Sequence, residues 1–167
     1  LESRTQTVST DFVVKVNAVT STTRHLVILD PGVDKADWLS QGIKAGYGLE
    51  VLSSKRPGLE QISEILRRYH HLDTLHIVSH GRAGALQLGD GWVTVQEMAS
   101  AADAVMGWTE ALAPEASVLF YGCELAKGEL GKRAITLLQE LLNATVYAAS
   151  TLVGSPAMGG QWILETA

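Results

Sequence analysis

Apolar residues along this chain fall into short continuous runs, separated by stretches in which they recur at helical spacing. Leu26-Val27-Ile28-Leu29, Leu49-Glu50-Val51-Leu52, Leu75-His76-Ile77-Val78-Ser79, Val118-Leu119-Phe120-Tyr121 and Thr145-Val146-Tyr147-Ala148-Ala149 all have strand length. Between them, residues 34–45 read as a helix with Trp38, Leu39 and Ile43 on one side. Pro57 opens a second helix, marked by Leu59, Ile62, Ile65, Leu66 and Tyr69, and His70-His71 are placed at its end. Thr94 and Glu97 have capping-box spacing and predict a third helix running to about Leu112. Leu130, Ala134, Leu137, Leu138 and Leu141 mark a fourth. Residues 85–93 read as a hairpin around Gly89-Asp90-Gly91, and Gln161-Trp162-Ile163-Leu164-Glu165 as a last hairpin strand. Residues 1–24, rich in Thr and Ser, are a flexible start with at most one edge strand at Phe12-Val13-Val14-Lys15-Val16, so the domain proper spans 25–167.

Strands alternating with helices predict an α/β domain: a mostly parallel sheet sandwiched by helices, with small β-hairpins added. Continuous rather than alternating apolar runs fit strands covered on both faces. In such sheets ligands bind beyond the carboxyl ends of the strands. His80-Gly81 follows the third strand and Gly122-Cys123 the fourth, so parallel neighbours would deliver both side chains to one edge.

Composition narrows the function classes. The chain has 167 residues, 46% hydrophobic and 19% charged, which fits one globular domain. Its formal net charge of −5 disfavours nucleic acid as a partner, because phosphate binding needs a basic face. No apolar stretch approaches the roughly 18 residues of a membrane span, so no membrane insertion is expected. Cys123 is the only cysteine, so no internal disulfide can form, and the cysteine count does not identify a compartment. The chain begins Leu-Glu-Ser without an initiator Met and reads as a fragment of a longer protein. His70, His71, His76 and His80 match no zinc spacing, and the Gly-rich stretches lack the lysine of a phosphate loop; no metal and no cofactor are expected. His76 reads as a satisfied core histidine on its strand.

The candidate chemistry is therefore a thiol with an imidazole. A cysteine nucleophile must reach the thiolate, and a neighbouring histidine both takes the proton and stabilises the anion. The amides of Gly81 and Cys123 are candidate donors to an oxyanion. The bland alternative for Cys123 is a small buried apolar residue at a strand end. His76-Ile77-Val78-Ser79-His80-Gly81 and Val118-Leu119-Phe120-Tyr121-Gly122-Cys123-Glu124 together resemble the two motifs of the caspase, gingipain and separase superfamily of cysteine peptidases. The nearest resemblance is to a caspase-like domain family similar to the CHAT proteases, found near the amino ends of large bacterial surface and adhesin-like proteins. It runs from about Leu26 to Glu165 and includes Leu86-Gln87-Leu88-Gly89 and Gly159-Gly160-Gln161-Trp162.

The resemblance implies a cysteine endopeptidase with Cys123 as nucleophile and His80 as general base and acid, and no third side chain. It implies a polypeptide substrate, an extracellular or cell-surface setting, and self-processing of the parent chain as a further expectation. It also places Asp30, Gly122, Glu124, Ser150 and Thr151 around the substrate pocket. A carboxylate at Asp30 would favour Arg or Lys in the substrate; the competing expectation is that Asp30 caps the Asp-Pro-Gly turn. Ser150-Thr151 stand where many relatives are acidic, and Glu124 beside the nucleophile would raise its pKa. Two other readings stay open: a catalytically silent caspase-fold binding or retention module of an adhesin, and another thiol hydrolase or acyl transferase on the same dyad.

Overall fold

A computed structural model of the chain describes residues 23–33, 47–121 and 124–148, with the backbone of 165–166. The helix expected at 34–45, the edge strand expected at 12–16, residues 161–164 of the expected last strand, and Gly122, Cys123, Ser150 and Thr151 lie outside the described residues. The described part is a mixed α/β domain. Its main sheet is made of β1 (His25–Leu29), β2 (Tyr47–Val51), β3 (Leu72–Val78), β7 (Leu112–Tyr121), β8 (Thr145–Ala148) and β9 (Glu165–Thr166), in the spatial order β2-β1-β3-β7-β8-β9. The first five are parallel to their neighbours; β9 runs antiparallel to β8. A second, antiparallel sheet follows β3 and contains β4 (Gly81–Arg82), β5 (Ala85–Leu88) and β6 (Gly91–Thr94).

The alternation of side chains across the strands divides the sheet into two faces. Leu26, Ile28, Leu75, Ile77, Val118, Phe120, Val146 and Ala148 form one buried face. Against it pack Ile62, Ile65 and Leu66 of α1 (Gly58–Leu66), Met98 of α2 (Val95–Ser100), Val105 of α3 (Ala102–Gly107), and Ala134, Ile135, Leu138 and Leu142 of α4 (Gly128–Leu142). Val27, Leu29 and Val78 form a smaller cluster on the opposite face with Val33, Tyr47, Leu49 and Tyr121. Deleting a large side chain such as Phe120 from the first face would cost about 3–5 kcal/mol.

Local chemistry sets the element ends. Pro57 is the cap residue of α1, extended at φ −58° and ψ 133°, rather than its first helical residue. The Thr94–Glu97 capping box forms as the sequence implied. The single helix expected from it to Leu112 does not form. The chain breaks at Ala101, continues as α3, tightens into a 3-10 turn at Trp108–Ala111, and is already a strand at Leu112. Trp108 anchors the turn by donating from Nε1 to Ser63 Oγ at 2.8 Å. Pro114 and Glu115, the latter at φ 64°, sit in a bulge where residues 113–116 face only Asp73 of β3. His70-His71 do not end a helix: α1 stops at Leu66, and His71 has φ 58° in the turn into β3.

The turn from β7 into α4 is held by contacts too close for a side chain. A Cβ on Gly131 would overlap the carbonyl carbon of Ala126, and one on Gly84, at φ 72°, would lie 2.9 Å from the Leu130 carbonyl oxygen. Gly131→Ala is expected to lower stability by about 1–3 kcal/mol, because backbone on both sides must move. Urea denaturation of the two chains would read this as a lower midpoint at unchanged slope.

Candidate active site

The main sheet changes direction of growth once. The chain goes from β1 outward to β2, then returns past β1 to β3 and on to β7 and β8. The crevice between the carboxyl ends of β1 and β3 is therefore the topological switch point, where parallel sheets bind ligands. Asp30 follows β1 and His80 follows β3, so both stand at that crevice. β3 and β7 are adjacent, and Val78 pairs with Tyr121 at the end of the ladder. His80 and Cys123 are each two residues beyond that last pair.

His80 is exposed, and its backbone is pinned. Its carbonyl accepts from Gln87 N–H at 2.8 Å and from the buried Ser79 hydroxyl at 3.1 Å. Its ring Nε2 lies 2.8 Å from the Gly32 carbonyl oxygen. A carbonyl only accepts, so Nε2 carries the hydrogen and the neutral ring keeps its lone pair on Nδ1. The orienting partner is thus a main-chain oxygen, which sequence reasoning did not identify. Its one signal was the Asp-Pro-Gly turn.

Asp30 builds that turn. It is only 2% exposed. Oδ2 accepts from Gly32 N–H at 2.9 Å, and Oδ1 accepts from Gly89 N–H at 2.7 Å in the β5–β6 turn. Its own amide donates to Val78 O at 2.8 Å. The turn-capping expectation is the one the geometry displays, with the carboxylate engaged by backbone rather than facing solvent.

Gly81 opens β4 opposite Leu86. In an antiparallel ladder bonded pairs alternate with unbonded ones. His80 and Gln87 are a bonded pair, so Gly81 occupies an unbonded position and its N–H faces away from β5. The segment after Cys123 is also specified. Glu124 adopts a left-handed φ of 61°, and its carbonyl accepts from Lys127 N–H at 3.0 Å. Its carboxylate pairs with Lys127 Nζ at 3.3 Å, which offsets part of its negative charge. Leu125 is fully buried and its carbonyl accepts from Gly84 N–H at 3.0 Å, fastening this turn to the hairpin that follows His80.

The sheet also carries a polar aromatic lattice that starts at the amino ends of β1 and β2, away from the crevice. His76 Nδ1 is 3.0 Å from the Tyr121 hydroxyl, and its Nε2 is 3.0 Å from Thr74 Oγ1, which is also 2.8 Å from His25 Nδ1. His25 stacks on Tyr47 with ring centres 4.7 Å apart. His76 is therefore a satisfied histidine, as its sequence position suggested. Burial, with a smaller contribution from His25, pulls its pKa down to about 4. Burial, helped by Tyr47, pushes Tyr121 up to about 12.

The family pattern described as "Domain of unknown function (DUF4347)" matches residues 26–167. No curated protein shows significant similarity to the chain. A solved structure described as "Crystal structure of a small-chain dehydrogenase" is 15% identical over 75% of this chain and 81% of its own, with a TM-score of 0.42, a likeness too weak to inform on chemistry. No described helix is long and apolar enough to cross a membrane.

The lattice predicts a pH dependence. His76 is held neutral in the folded chain and titrates near 6.5 when unfolded. Its contribution to stability is complete above about pH 6.5 and is lost as pH falls toward 4. The urea midpoint of wild type should fall across that window more steeply than that of His76→Gln. Parallel curves would contradict the assignment.

Proposed function

This chain belongs to the DUF4347 family, and we propose that it is a cysteine endopeptidase of caspase-like fold using His80 and Cys123. The observation that carries the reading is the parallel pairing of β3 with β7 in a register that ends at Val78 and Tyr121. In this reading the residue two beyond the end of β7, Cys123, lies near the residue two beyond the end of its parallel neighbour β3, His80. Three features add support. The Gly32 carbonyl fixes the tautomer that leaves Nδ1 of His80 as the base. The Gly81 amide faces away from its ladder and is available to an oxyanion. The left-handed residue at Glu124 marks a strained turn directly after the thiol, the kind of backbone that persists where surrounding contacts hold it.

In this reading His80 Nδ1 takes the Cys123 proton, and the thiolate attacks the peptide carbonyl carbon. The resulting oxyanion lies against the amides of Gly81 and Cys123. Collapse breaks the C–N bond, and His80 returns its proton to the departing amine. Water, deprotonated by the same imidazole, then hydrolyses the thioester and releases the acid. No third side chain is required, because the Gly32 carbonyl orients the ring.

The test is cleavage of a proteome-derived peptide mixture by the whole chain, with new termini read by mass spectrometry. Cleavage should vanish in Cys123→Ala and fall by at least about a hundredfold in His80→Ala. Turnover of simple esters without peptide cleavage would replace this reading with an acyl hydrolase, and inertness toward both would replace it with a binding module.

A further inference from the structure

We propose that Arg82, laid over Trp92 on the face of the small sheet that carries His80, forms a subsite for an acidic side chain of the polypeptide substrate. The inference rests on the endopeptidase reading and names its substrate class.

Register places these residues together. Arg82 pairs with Ala85 and Ala85 with Thr94, while Gln87 pairs with Trp92 and lies opposite His80. Side chains alternate along each strand, so His80, Arg82, Ala85, Gln87, Trp92 and Thr94 share one face. Contacts agree with that assignment. The His80 ring reaches Gly32, and Gln87 Oε1 lies 3.1 Å from where a Gly32 Cβ would be. The Arg82 guanidinium carbon sits 4.3 Å from the centre of the Trp92 ring. To reach Trp92 the Arg82 side chain crosses β5 diagonally over Ala85, a small residue only 2% exposed.

Stacking fixes the guanidinium in orientation without consuming its N–H donors. Arg82 is exposed and makes no ion pair among the described residues. Of the other described arginines, Arg24, Arg56 and Arg68 pair with carboxylates of this chain, while Arg67 and Arg133 also make no ion pair among the described residues but lie on or beside helices away from His80. Arg82 is thus a presented cation, two residues and about 7 Å along the chain from the histidine. A guanidinium held this way recognises a carboxylate through paired N–H···O bonds. At the spacing of an extended peptide, that carboxylate belongs to a residue within about three positions of the scissile bond. The buried Asp30, engaged by two backbone amides, gives no competing demand for a basic residue at the crevice.

The experiment uses the whole chain carrying Cys123→Ala and rhodamine-labelled octapeptide pools with random flanks and a fixed Glu, Gln or Lys. Anisotropy should show the Glu pool binding about tenfold more tightly than the Gln pool. Arg82→Ala should abolish that preference, and Arg82→Glu should transfer it to the Lys pool. Circular dichroism melts confirm that each variant folds. Equal affinity for all three pools, or a Glu preference that survives both substitutions, overturns the subsite. Cleavage sites of the wild-type chain are scored separately. Cys123-dependent cleavage without an acidic preference overturns the subsite alone. A Glu preference in binding without any such cleavage overturns the endopeptidase reading, and the substrate role of Arg82 with it.

Discussion

The parallel ladder that pairs Thr74 to Val78 with Ser117 to Tyr121 organises the rest of the molecule. Its residues alternate between two packed faces, so a one-residue slip of β3 would turn Ile77 away from the helices and His76 into them, and a slip of β7 would do the same to Phe120. That penalty fixes the register. A fixed register in turn sets the last bonded pair, Val78 with Tyr121; Ser79-His80 follow the one in sequence and Gly122-Cys123 the other. The bulge opposite Asp73 absorbs the extra length of β7 at the far end, so the carboxyl ends stay level.

Around that ladder, backbone groups rather than side chains do most of the positioning. Asp30 ties the end of β1 to the Gly32 turn and to the Gly89 turn of the small sheet. Gly32 then aims the imidazole of His80. Gly84 joins the same hairpin to Leu125, just past the cysteine. A buried carboxylate held by two amides is stabilising only while both bonds stand, so the crevice is over-determined by a few short contacts. The outward face of the hairpin is left to present Arg82, Gln87 and Trp92.

Much of this was legible in the sequence. The apolar runs gave the parallel strands, Thr94 and Glu97 gave the capping box, and Gly89-Asp90-Gly91 gave the hairpin turn. What was not legible depends on non-local contacts. Pro114 and Glu115 lie in a stretch that reads as loop, yet pairing with β3 draws Leu112 into the strand and shortens the preceding helix. The letters of Asp30 do not say where its carboxylate points, and only the structure shows it buried and accepting from the amides of Gly32 and Gly89. The Gly32 carbonyl left only the Asp-Pro-Gly turn as a signal, because which main-chain oxygen a ring meets depends on contacts far apart in sequence. The small sheet's face was hidden for the same reason: the Arg82–Trp92 stack depends on register across three strands.

The pairing of His80 with Cys123 is tested most directly by the alkylation rate of the single thiol as a function of pH, in wild type and in His80→Ala. An unpaired thiol titrates near pH 8.5, whereas a cysteine paired with histidine titrates about two or more units lower. The account predicts rapid labelling of wild type below about pH 7 that disappears in His80→Ala. Labelling that follows an ordinary thiol in both proteins would contradict it.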